Sequence, residues 1–71
     1  MSRRSAWIQD AVLNWLKQGS QTFYILLDRI WDVDESVGAF ELIEAISSLR
    51  QAEHITRQEL DGGDIRYTLE L

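Results

Sequence analysis

The chain predicts an α+β domain, mainly α: three helices closed by a C-terminal β-hairpin. Three observations carry that expectation. Apolar residues recur at helical spacing in three separate segments. Near the end the pattern changes to strict alternation, with Ile65, Tyr67, Leu69 and Leu71 set between Arg66, Thr68 and Glu70. Gly62-Gly63 stands just ahead of that alternation, where a tight turn needs positive φ.

The first segment is SAWIQDAVLNWLKQG. Ile8, Ala11, Val12, Trp15 and Leu16 fall on one helical face. Ser5 is the candidate N-cap, and Gly19 is the candidate stop after Lys17. The second is SQTFYILLDRIW, with Phe23, Leu26, Leu27 and Ile30 on a face and Ser20 or Thr22 as cap. Five successive apolar residues from Phe23 to Leu27 also permit a buried strand. Asp28, Arg29 and Ile30 extend the helical pattern, which favours helix.

The third, VGAFELIEAISSLRQAEH, repeats Ala39, Leu42, Ile43, Ile46 and Leu49 at helical spacing. Glu41, Glu44, Ser48 and Gln51 fall outside that stripe and are read as its outer face. Asp34 or Ser36 is the expected cap, and Asp34 and Glu35 suit the positive end of the helix dipole. In the hairpin, a two-residue Gly62-Gly63 turn places Leu60 opposite Ile65, Glu59 opposite Arg66, Gln58 opposite Tyr67 and Thr56 opposite Leu69. A Glu59–Arg66 pair follows, worth ~0.2–1 kcal/mol. Asp61 then faces Asp64, a repulsion that a wider loop would relieve.

Seventy-one residues are read as one domain over 1–71, with 1–5 as a flexible lead-in. A chain this short buries only roughly 60% of its unfolded surface, so each large apolar residue matters. No cysteine is present, so neither disulfides nor thiolate metal sites support the core. No apolar run approaches the ~20 residues of a bilayer span. MSRRSAWIQD has two arginines without an apolar stretch behind them, so it does not read as a secretory signal. The expected compartment is the cytoplasm, with no membrane partner.

The net charge is −5 and uneven. Arg3, Arg4, Lys17 and Arg29 outnumber Asp10 and Asp28 before residue 32. From 32 to 54, Asp32, Asp34, Glu35, Glu41, Glu44 and Glu53 face Arg50 alone. The middle of the chain is therefore acidic, which disfavours nonspecific attraction to phosphate backbones.

Three helices followed by a hairpin is the order of a winged-helix domain, and residues 6–71 resemble that family. ELIEAISSLRQAEHITRQELDGGDIRYTLEL carries the resemblance. Leu42, Ile46 and Leu49 match the spacing of a recognition helix, Ile55 enters the first strand, and DGGD stands as the wing tip. The resemblance implies a three-helix winged helix with the hairpin as wing. The family's usual activity is DNA binding, with the third helix in the major groove. Two features depart from the pattern: the break QAEHI lacks the common Gly, and the outer face of the third helix is acidic.

The acidic stretch WDVDESVGAFELIE also has chemical readings. Asp32, Asp34 and Ser36 alternate as in a calcium loop, but its sixth position is Val37 and its twelfth is Ile43, where Gly and a bidentate Glu belong. Asp34, Glu35, Glu41 and Glu44 are acid-base candidates, yet no nucleophile elbow, phosphate loop or HExxH accompanies them. Ser47 and Ser48 read as surface or packing residues. His54, the only histidine, reads as a helix-ending cation. The acids are most simply a solvated connection with capping duty. No enzyme, metal, cofactor or small-molecule substrate is expected.

Major-groove readers favour Arg, Lys, Asn and Gln. An acidic third helix opposes that use, and fold alone does not assign function. The expected function is therefore protein binding or self-association, a homodimer included, in a regulatory role. The candidate interface comprises Trp7, Tyr24, Trp31, Phe40, Glu41 and Glu44; the bland alternative is that these aromatics simply fill the core. The other function is a DNA-binding regulator using a basic arm and wing, through Arg3, Arg4, Lys17, Arg29, Arg50, Arg57 and Arg66.

Overall fold

The structure, a computed structural model, describes residues 3–70, with the side chain of Arg3 outside that description. The elements run α1 (Arg3–Leu16), β1 (Gln21–Thr22), α2 (Phe23–Val33), α3 (Ala39–Gln51), β2 (Ile55–Glu59) and β3 (Ile65–Leu69). The three strands form an antiparallel sheet in the order β1-β3-β2. This is the α+β, mainly α, winged-helix-like arrangement that the sequence predicts.

Each helix buries most of the stripe its spacing assigns. Ile8, Val12 and Leu16 of α1 meet Leu26, Leu27 and Ile30 of α2 and Leu42, Ala45, Ile46 and Leu49 of α3 in one cluster. Val37, Ile55 and Tyr67 complete it. α1 packs mainly on α3. Trp7 packs at the edge of this core, together with Trp15, Phe23, Ile65 and Leu69. Trp7 is thus partly buried against the core and not fully open to solvent.

The Phe23–Leu27 run is helical. Thr22 caps it, its Oγ1 accepting from the Ile25 amide at 3.4 Å. Thr22 also belongs to β1, which pairs Gln21 with Tyr67 and Thr22 with Arg66. The hairpin reading left this third strand out. A two-residue strand has no periodicity to read, and only the β3 edge beside it creates it.

Helix starts differ from the expectation at two places. α1 already includes Arg3, two residues before Ser5, whose Oγ accepts from Gln9 Nε2 at 3.2 Å within the helix. α3 starts after Gly38, whose carbonyl receives the amides of Glu41 and Leu42 at 3.0 and 3.3 Å. Asp34 instead closes α2, its amide donating to Ile30 at 2.8 Å. Its Oδ1 accepts from the amide and hydroxyl of Ser36 at 2.9 and 2.6 Å. The acid and the serine build the turn between the helices and do not cap α3.

Helix ends follow local chemistry. Gly19 follows α1 with φ +140°, a region open chiefly to glycine. After α3, His54 donates its amide to Leu49 at 2.9 Å and Glu53 donates to Arg50 at 3.0 Å. This double bond is the Schellman closure, and Glu53 holds its left-handed position at φ +61°. The Gly missing from QAEHI is missing here.

The hairpin register is one residue away from the expected one. Ile55 faces Leu69, Thr56 faces Thr68, Arg57 faces Tyr67, Gln58 faces Arg66 and Glu59 faces Ile65. The loop holds three residues, Asp61, Gly62 and Gly63, and both glycines have positive φ. The Leu60 amide bonds the Asp64 carbonyl at 2.8 Å. This register sets buried Ile55 beside Leu69 on the helix-facing side, and a one-residue slip would pair Ile55 with an acid. The Glu59–Arg66 pair does not form. Arg66 Nη2 donates to Gln58 Oε1 at 2.6 Å, and Arg57 Nη2 pairs with Glu59 Oε1 at 3.2 Å.

Candidate functional site

The outer face of α3 is less acidic than its sequence suggests. Glu41 and Ser48 are half-buried, because they lie on the side turned to α1. Glu41 Oε2 sits 3.1 Å from Arg4 Nε. The exposed positions are Phe40, Ile43, Glu44, Ser47, Arg50 and Gln51. Ile43, expected in the buried stripe, is 45% exposed. It lies on the margin of the stripe, where α3 has run out of neighbours to cover it.

Arg4 works as a clamp. Its Nη2 lies 3.6 Å from Asp34 Oδ2 and donates to Ser36 Oγ, while its Nε meets Glu41. One guanidinium thereby ties the start of α1 to the α2–α3 turn and to α3. It is not part of a free arm. Hydrogen bonds from the Ser36 hydroxyl and amide hold the Asp34 carboxyl below its ordinary value, and Arg4 adds to the effect.

Phe40 and Trp31 flank the α2–α3 turn along the chain, and Tyr24 lies near the start of α2. Phe40, in the first turn of α3, is 81% exposed. Trp31 is 41% exposed, and its Nε1 donates to the Val37 carbonyl at 2.8 Å. Val37 itself is buried, so this bond fixes the indole against the core plug. Tyr24, one face-repeat earlier on α2, is 65% exposed, and Val33 is exposed as well. Asp28, Asp32 and Glu35 line a shallow depression with Trp31, and Glu44 is exposed one turn after Phe40. The surface is apolar with an acidic rim.

The cations are dispersed. Lys17 is exposed just beyond α1. Arg29 is half-buried, its guanidinium 5.9 Å from the Trp15 ring centre. Arg66 is on the sheet face opposite the helices, bonded to Gln58. Among the described side chains, Arg50 and Arg57 come together. They flank a groove of about 300 Å³ between α3 and the hairpin, with Phe23, Ile46, Ile65 and Tyr67 among its walls. Arg57 reaches that groove because its register partner is Tyr67, on the helix-facing side. The corrected register makes this pairing legible; the sequence alone pointed to the other face.

Among the described residues, no group of three or more His, Cys, Asp or Glu is placed to hold a metal ion. No helix among them is long and apolar enough to cross a membrane. No protein-family model, curated protein or solved structure matches the chain.

Proposed function

We propose that the chain is a non-enzymatic interaction module of winged-helix type, which binds protein in a regulatory role through its α2–α3 face. The observation that carries this reading is Phe40, a large aromatic 81% exposed, with Ile43 one turn further along α3 also exposed. Aromatic residues are enriched at protein interfaces, and an isolated domain gains nothing from presenting them to water. In helix-turn-helix complexes the N-terminal part of the third helix reaches the base edges. Here that part presents Phe40, Ile43 and Glu44, and none of them matches a phosphate or a purine edge.

Charge points the same way. Arg4 is occupied by Asp34 and Glu41, Arg29 stands over the Trp15 ring and Arg66 bonds Gln58, while Arg50 and Arg57 meet at one groove. Among the described side chains these cations form no continuous basic stripe of the kind that phosphate binding needs. The acidic rim suits a partner with an apolar anchor among basic residues.

The test is affinity capture from a native extract, with and without nuclease, comparing the wild type with Phe40→Ser. A protein retained by the wild type, resistant to nuclease and lost with Phe40→Ser, is the expected result. Retention that nuclease abolishes would replace this reading with the nucleic-acid one.

A further inference from the structure

The groove between α3 and the hairpin has a chemistry opposite to that of the α2 surface. Its walls are apolar, with Ile46 and Tyr67 buried and Phe23 and Ile65 partly so. Arg50 and Arg57 stand at its edge, next to Ser47. The same three residues line an adjoining depression that extends toward Ile55 and Thr56. Arg57 gives one contact to Glu59, and its remaining donors are open to a second acceptor. Such a site takes an apolar group that carries carboxylates close by.

The chain itself carries that group. Trp31 is exposed on α2 between Asp28, Asp32 and Glu35, all of them exposed. Its indole N–H is already bonded to the Val37 carbonyl, so the exposed part of the ring can be covered by an apolar surface without leaving a donor unpaired. We infer that the Arg50–Arg57 groove of one copy receives the Trp31 surface of a second copy. The carboxylates of Asp28, Asp32 and Glu35 then meet the two guanidiniums. This deepens the protein-binding reading, on which it rests, by naming one partner.

The two surfaces are different patches, so the contact is head-to-tail. A pair joined this way retains one open groove and one open Trp31 surface, and the assembly extends beyond two copies unless a ring closes. The contact is salt-sensitive, because exposed charges are screened within about 8 Å at physiological ionic strength.

Sedimentation velocity of the purified chain, over a range of concentration at low and high salt, tests this. The wild type is expected to form species larger than a dimer at low salt and to dissociate as salt rises. Two variants separate the surfaces. The first, Arg50→Gln with Arg57→Gln, neutralises the groove. The second, Asp28→Lys with Asp32→Lys, reverses the α2 surface, and a cation at Asp32 suits the C-terminal end of that helix. Each variant alone should associate roughly tenfold more weakly or worse. An equimolar mixture should form heterodimers and nothing larger, since each copy keeps one intact surface. Circular dichroism confirms that both variants are folded.

A wild type that remains monomeric at high concentration and low salt overturns the inference. So does a mixture that fails to pair, or association that survives in both variants. None of these results touches the Phe40-dependent capture of another protein, so the two readings fail separately.

Discussion

The indole Nε1 of Trp31 donates to the carbonyl oxygen of Val37 across 2.8 Å, joining an exposed helix face to a buried turn residue. Trp31→Phe keeps most of the ring and removes the donor. The expected loss of stability is about 1 kcal/mol, the usual net value of one such bond. Urea unfolding measures it; an unchanged midpoint would mean that water serves the carbonyl as well.

Phe40 is expected to matter for binding and not for folding. Phe40→Ser removes an exposed side chain from a helix start, and its effect on unfolding free energy should stay within about 0.5 kcal/mol. Loss of captured protein without a shift in thermal midpoint is the predicted pair of results.

Leu42 is fully buried in the first turn of α3, in the cluster that joins all three helices. Leu42→Ala should cost about 2–5 kcal/mol. In a domain this small that is a large part of the total stability. The far-ultraviolet spectrum at room temperature should show substantial unfolding.

Glu53 holds a left-handed conformation at φ +61° in the closure of α3. A side chain there costs roughly 1–2 kcal/mol, partly offset by the greater freedom of glycine in the unfolded chain. Glu53→Gly should therefore stabilise the domain by about 0.5–1 kcal/mol. Denaturant midpoints decide it, and a lower midpoint would show that the Glu53 side chain stabilises the fold in some other way.

The Asp34 carboxyl is lowered by hydrogen bonds from Ser36, with Arg4 assisting. A carboxyl with a lowered folded-state value stabilises the fold while ionised. That contribution is complete above the ordinary carboxylate range and is lost as pH falls through the lowered value. Ser36→Ala should bring the Asp34 titration, followed by NMR, back toward its usual position and start acid unfolding at a higher pH. Arg4→Gln should lower the thermal midpoint at low salt and lower it less at high salt.

The sequence alone favoured helix over strand for Phe23–Leu27 without deciding between them, and it determined most of each buried stripe, the stop at Gly19 and the presence of a hairpin. Each of these is set within one element, by periodicity or by a residue that allows an unusual φ. It also marked Trp7, Tyr24, Trp31 and Phe40 as aromatics outside the main stripes, of which Trp7 packs partly buried against the core. Tertiary structure decided the rest. Only the position of α1 turned Glu41 toward Arg4 and took it off the outer face. The pairing of Ile55 with Leu69 set the hairpin one residue from its expected register and brought Arg57 to the groove beside Arg50. β1 exists because β3 offers it an edge. Periodicity tells which side of an element faces inward, but which surfaces meet depends on neighbours distant along the chain, and a single segment carries no record of them.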